Sequence, residues 1–105
     1  MKKINLNVAL KNLKGENLLD QAKEITEMRE LIANALSVSK PKQAKDIIKQ
    51  YKLAMKIFEV KEDLTLEEAE YEMIKDILEK NELNYTTLVL GQILEHLNTA
   101  EHIKV

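Results

Sequence analysis

Apolar residues first alternate and then recur every three or four positions along the chain, dividing it into a short extended start and a helical remainder. Ile4, Leu6, Val8 and Leu10 alternate with Lys3, Asn5, Asn7 and Ala9, the period-two signature of a strand with one buried face. Gly15, within Leu13-Lys14-Gly15-Glu16-Asn17, accepts a positive φ without a Cβ penalty and predicts a turn, with a hairpin return through Leu18 and Leu19. Leu18, Ala22, Ile25, Met28, Ile32 and Leu36 then share one helical face, widened by Leu31 and Ala35, so a first helix runs to about Leu36. Asn17 and Thr26 both qualify as its N-cap and give a long or a short helix.

Ser37-Val38-Ser39-Lys40-Pro41 breaks the pattern, because Pro41 lacks an amide hydrogen and biases Lys40 towards extended geometry, while Ser39 suits the start of the next helix. The spacing predicts a second helix from about Lys42 to Phe58, with Ala44, Ile47, Ile48, Tyr51, Ala54, Met55 and Phe58 as its core face. Thr65 and Glu68 have the spacing of a capping box, in which each side chain accepts from the other's backbone amide. A third helix starts there, buries Leu66, Ala69, Met73, Ile74, Ile77 and Leu78, and fades between Asn81 and Asn84. A fourth follows, capped by Thr86 or Thr87, with Leu90, Ile93, Leu94 and Leu97 at helical spacing. Gly91 inside it is either a tolerated cost or the mark of a close backbone approach. No internal repeat or low-complexity tract is visible. The expected fold class is mainly α: about four helices in a compact bundle with a short N-terminal β-strand or β-hairpin, residues 1–105 forming a single domain.

Composition agrees with this architecture. Of 105 residues, 45% are hydrophobic and 32% charged, a globular balance, and two Gly and one Pro leave few enforced turns. The chain has no cysteine, which excludes disulfides, thiolate metal sites and thiol nucleophiles. Met1-Lys2-Lys3 looks like the basic start of a signal peptide, but the following apolar stretch is short and interrupted by Asn5 and Asn7. The expectation is therefore no secretory or membrane-spanning segment, and a cytoplasmic location.

Charge adds a regularity that composition hides. Lys42, Lys45, Lys49, Lys52 and Lys56 line one stripe of the second helix. Lys40 to Lys61 holds seven lysines against Asp46 and Glu59, a local charge of +5, whereas Glu62 to Glu82 holds nine acids against Lys75 and Lys80, a local charge of −7. The lysine stripe is a candidate partner-binding surface, since clustered ammonium groups attract acidic proteins or phosphates. The plainer account is a solvated helix face lying beside the acidic helix of the same molecule. Nucleic acid is disfavoured by the net charge of −2 and by the single arginine, Arg29.

Catalytic chemistry finds no constellation. The carboxylates Glu67, Glu68, Glu70, Glu72, Asp76 and Glu79 are scattered around the third helix instead of converging as an acid–base pair. His96 and His102 are six apart, not the i, i+4 spacing of a helical metal pair, so neither a metal site nor a cofactor is expected. Met28, Met55, Met73, Tyr51, Phe58 and Tyr71 read as core, and Tyr85 as a loop residue open to an interface role.

The succession Ile4-Asn5-Leu6-Asn7, Leu13-Lys14-Gly15, Asn34-Ala35-Leu36 and Gly91-Gln92-Ile93-Leu94-Glu95 resembles a group of small proteins encoded by tailed phages and prophages. The resemblance spans most of the chain, while Leu18 to Glu24 and Glu62 to Glu72 depart from it. It implies an extended N-terminal segment with a glycine turn ahead of the helices, and so favours Thr26 as the first helix cap. The function expected is a non-enzymatic phage- or prophage-encoded protein-interaction module acting on host or viral machinery, with an unidentified protein partner or further copies of itself. The alternatives are a virion assembly or structural component, such as a tail assembly chaperone or head-tail part, and a nucleic-acid or nucleotide binder acting through the lysine stripe.

Overall fold

A computed structural model describes residues 1–41 and 43–102. Its elements run β1 Lys2–Ile4, α1 Met28–Val38, a 3₁₀ turn Ala44–Asp46, α2 Ile47–Glu59, β2 Leu64–Leu66, α3 Glu68–Lys80, α4 Thr87–Leu97 and β3 Glu101–His102. The fold is mainly α with an extended, hairpin-forming N-terminal segment, as its apolar periods predict. Among the described residues no helix is long and apolar enough to cross a membrane.

The strand that the alternation predicts over Ile4 to Leu10 is shorter and earlier. β1 is the middle strand of a small antiparallel sheet of order β2-β1-β3, with Lys2 opposite Leu66 and His102, and Ile4 opposite Leu64. The alternation still reports burial correctly beyond the ladder: Ile4, Leu6 and Leu10 are buried and Val8 is half-buried. Pairing stops because the backbone of 6–8 serves another element. The first amides of α1, Met28 N and Arg29 N, donate to the carbonyls of Val8 and Leu6, each at 2.9 Å. These are helix N-terminal donors that normally seek a side-chain cap. Neither Asn17 nor Thr26 therefore caps α1; Glu27 occupies that position without a side-chain hydrogen bond.

Residues 9 to 27 form a cloverleaf that the sequence does not announce. Three antiparallel pairs, Ala9 with Glu27, Lys11 with Asn17, and Leu19 with Ile25, radiate from one junction. At the junction Leu18 N donates to Leu10 O, Thr26 N to Leu18 O and Leu10 N to Thr26 O, at 2.8 to 2.9 Å, closing a ring of three residues spaced eight apart. The two loops repeat each other bond for bond. Asn12 Oδ1 accepts from Lys14 N and Glu16 N, and Asp20 Oδ1 accepts from Ala22 N and Glu24 N. Gly15 and Lys23 hold the equivalent positive φ angles, 84° and 63°. The chain thus contains an eight-residue structural repeat, contrary to the expectation of none. It escapes notice because the copies share only Leu10 with Leu18, Glu16 with Glu24 and the related pair Asn12 and Asp20.

Helix α1 runs through the core, burying Met28, Ile32, Ala33, Ala35 and Leu36, and packs mainly against α2 and also against α3. Its C-terminus is closed from outside. The Gln50 side chain of α2, itself buried, donates from Nε2 to Leu36 O at 2.8 Å and Ser39 O at 2.6 Å. Ser39 is thus the end of α1 and not the start of the next helix, and its amide donates to Ala35 O.

The third helix begins two residues later than predicted. Thr65 lies within β2, and the capping box forms between Glu67 and Glu70, with Glu70 Oε1 accepting from Glu67 N at 2.9 Å. α3 buries Tyr71, Ile74 and Leu78, leaves Met73 and Ile77 half-buried, and exposes Ala69. Asn81 ends it at φ 49°, and its side-chain amide clamps the Tyr85 backbone from both sides, at 2.7 and 3.0 Å. Thr86 then caps α4 by accepting from Val89 N. α4 buries Ile93 and Leu97, and Tyr71 Oη donates to Leu97 O at 2.8 Å, tying α3 to the end of α4. A Cβ at Gly91 would meet nothing within 4 Å, so no close backbone approach requires this glycine.

Gln92 locks the cloverleaf to the helices. Its Oε1 accepts from Lys11 N at 2.9 Å and its Nε2 donates to Lys11 O at 2.6 Å, so one side chain satisfies the backbone of the first loop as a neighbouring strand would. The core joins both regions, with Leu6, Leu10, Ile32, Ile57, Leu66, Ile74, Leu78, Ile93 and Leu97 fully enclosed.

Candidate functional site

The largest departure from expectation is the orientation of α2. The stripe read as its core face is turned outwards: Ile47, Ile48, Tyr51, Met55 and Phe58 are 54, 64, 63, 40 and 55% exposed. Ala44 is exposed as well, and only Ala54 of the predicted face is buried. The buried side consists of Gln50, Leu53, Ala54 and Ile57. Leu53 and Ile57 are four apart, a second apolar band that the wider stripe outweighed. Gln50 can lie on the buried side because its Nε2 donates to the Leu36 and Ser39 carbonyls at the end of α1.

Helical periodicity of about 100° per residue orders the surface of α2. The exposed apolar band lies between the α1 side of the helix and the lysine band. Tyr51, Ala54, Met55 and Phe58 form one wall of a groove of about 240 Å³, and Glu30, Ala33, Asn34 and Ser37 of α1 form the other. Arg29 packs on Phe58. Its guanidinium carbon lies 5.5 Å from the centre of the Phe58 ring, within cation–π range, and its NH1 donates to Phe58 O. Glu27 and Glu30 hold the same guanidinium at 3.3 and 3.5 Å. Its Nε is buried without a hydrogen-bond partner among the described residues.

Four members of the predicted lysine stripe, Lys45, Lys49, Lys52 and Lys56, are exposed along the neighbouring band; Lys42 lies outside the described residues. Lys56 Nζ pairs with Glu70 of α3 at 3.1 Å, and Lys49, Lys52 and Lys56 line a groove opposite Glu67, Ala69, Glu70 and Met73. The basic and acidic helices are therefore neighbours in one molecule. No ion pair among the described residues engages Lys45, Lys49 or Lys52.

The other candidate chemistry is dispersed. Glu72, Asp76 and Glu82 border an open cleft of about 430 Å³ together with Ser39, Asp46 and Lys80, and Asp76 is held by Lys80 at 3.0 Å. His96 Nε2 lies 2.6 Å from the Asn5 carbonyl, which fastens α4 to the N-terminal segment. Among the described residues no group of three His, Asp or Glu side chains converges as a metal would require. Tyr71 is core, as expected, while Tyr51 and Phe58 are surface. Tyr85 is half-buried, its hydroxyl accepting from Asn34 Nδ2 at 3.1 Å. What fold and surface define together is a small helical protein with an apolar and basic outer face on α2. No protein-family model, curated protein or solved structure matches the chain.

Proposed function

We propose that this chain is a non-enzymatic protein-interaction module and that its binding face is the outer side of α2. The observation that carries this reading is the exposed band Ile47, Ile48, Tyr51, Met55 and Phe58, continuous over three turns. Scattered apolar residues are normal on a surface, but a contiguous band rimmed by charge marks an interaction site. Tyr, Phe, Met and Arg are also the residue types enriched where proteins meet. The resemblance to small proteins of tailed phages and prophages supports a role in modulating host or viral machinery, or in virion assembly. The band is too apolar to gain from a phosphate backbone, and the net charge of −2 works against polyanions.

Site-specific photocrosslinking tests the reading. A photoreactive residue at Tyr51 or Phe58 is expected to capture one protein in stoichiometric yield from lysate of the source cells, whereas the same residue at Leu13, 92% exposed on the first cloverleaf loop, captures none. A host protein supports modulation and a virion protein supports assembly. Capture from Leu13 alone removes α2 from the proposal.

A further inference from the structure

The partner of the outer face follows from the spacing of its apolar residues, granting the reading above that α2 is the binding face. We infer that this face seats a second copy of the chain: two α2 helices pair antiparallel about a twofold axis, with Ile48 of one copy against Phe58 of the other and Tyr51 against Met55. On this inference the protein that a photoreactive residue at Tyr51 captures is the chain itself.

Ile48, Tyr51, Met55 and Phe58 stand 3, 4 and 3 residues apart, the a and d spacing of a helix that pairs with another helix, and all four are exposed. At the helical turn of each residue they fall within an arc of about 80°. Ile47 borders this seam on the α1 side, and Glu59 and Lys52 border it on the other. Lys49 and Lys56 lie further round, in the groove shared with α3. One acid and one base beside the seam favour neither an acidic nor a basic partner, so the shape of the seam decides its occupant. On the α1 side Ala33, Asn34 and Ser37 are short and leave room for a helix laid along it.

The seam is complementary to itself when reversed. A twofold axis level with Leu53 sets Ile48 opposite Phe58 of the second copy and Tyr51 opposite its Met55, so each layer holds one aromatic and one aliphatic side chain. Parallel pairing stacks Tyr51 on Tyr51 and Phe58 on Phe58, which overfills some layers and underfills others. The antiparallel pair brings Lys52 near its own copy close to the axis, a repulsion tempered by Glu67 and Glu70 of the same chain across the adjoining groove. Size agrees with a dimer. Ile47, Ile48, Tyr51, Met55 and Phe58 leave about half of their surface uncovered, on the order of 500 Å² per copy for side chains of this size. Two copies bring about 1,000 Å² together, the lower end of a specific interface and the size of a reversible dimer, not an obligate one.

Sedimentation of the full chain is expected to show a reversible monomer–dimer equilibrium in the micromolar range. Tyr51→Ser/Phe58→Ser should weaken it at least about tenfold, as loss of central aromatic anchors does. Both positions are exposed, and circular dichroism checks that the variant is folded. The chain has no cysteine, so an introduced thiol reports a single contact. In an oxidised equal mixture of Ile48→Cys and Phe58→Cys, the mixed disulfide should exceed both homodimers, because either position lies about 15 Å along the axis from its own copy in the antiparallel pair. A prevalence of homodimers marks a parallel pair and overturns the arrangement. A dimer indifferent to Tyr51→Ser/Phe58→Ser is built on another face and overturns the inference. A monomer at every concentration up to millimolar overturns it as well. In that case capture of a different protein at Tyr51 in the crosslinking experiment keeps α2 as the binding face, and no capture removes that reading too.

Discussion

Lys23 occupies, at φ 63°, the loop position that Gly15 fills at 84° in the first half of the cloverleaf. A side chain in the left-handed region crowds its own carbonyl, and glycine escapes that penalty at the expense of greater freedom in the unfolded chain. Lys23→Gly is therefore expected to stabilise the protein by about 1 kcal/mol, and Gly15→Ala to destabilise it by a similar amount. Paired urea titrations check this, and shifts of the same sign contradict the equivalence of the loops. Gln50 is the second residue whose role is clear at this scale. Replacing it by Leu keeps the volume but leaves the Leu36 and Ser39 carbonyls without their donor. The expected loss is about 1–3 kcal/mol, the penalty of an unsatisfied buried acceptor, and a neutral outcome shows that water reaches those carbonyls.

Among the elements, the cloverleaf depends most on its attachments, because an isolated hairpin is marginal in water. Its loops carry exposed Leu13, Leu19 and Ile25, and its anchorage comes from Leu10, Leu18, the junction ring and Gln92. Gln92→Leu removes two hydrogen bonds to Lys11, each worth about 1 kcal/mol. The expected result is faster amide exchange at Lys11 and Leu18, with the protection of α1 and α2 unchanged. Uniform loss of protection along the chain shows that the cloverleaf folds only as one unit with the helices. The ends of α1 follow the same logic. Carbonyls of Leu6 and Val8 satisfy its first amides and Gln50 its last carbonyls, so distant segments do what local caps do elsewhere.

For the molecule as a whole, the orientation of α2 decides which apolar residues hold the fold and which remain available to a partner. Ile57 is fully enclosed and Tyr51 is 63% exposed, although periodicity places Tyr51 and not Ile57 on the core face. Ile57→Ala should cost about 2–5 kcal/mol, the range for a truncated core side chain, and Tyr51→Ser should change stability by no more than about 0.5 kcal/mol. Thermal denaturation of the two variants separates the orientations, since the reverse order places the outer stripe inside. The molecule closes through β1, whose two flanking strands arrive from 64–66 and 101–102, so residues near the start, middle and end of the described chain meet in one small sheet.

By itself the sequence determined the mainly helical class, the places of the four helices within a few residues, the turn at Gly15 and the inward side of Ile4, Leu6 and Leu10. Each follows from a local cause: apolar spacing, a breaker such as Pro41, a cap such as Thr86, or the missing Cβ of a glycine. It also placed Lys45, Lys49, Lys52 and Lys56 on one stripe, because helical periodicity needs no tertiary information. Tertiary structure alone decided which of two apolar bands α2 buries, since both satisfy the same periodicity, and Gln50 can lie on the buried side because it reaches the Leu36 and Ser39 carbonyls. It decided the start of α1, where backbone carbonyls from 6 and 8 made a side-chain cap unnecessary. It also decided the eight-residue repeat, because the repeated feature is a pattern of backbone hydrogen bonds that two dissimilar stretches can both make. The candidate interface belongs to this second group: its residues were legible as apolar, and only packing shows that nothing in the described chain covers them.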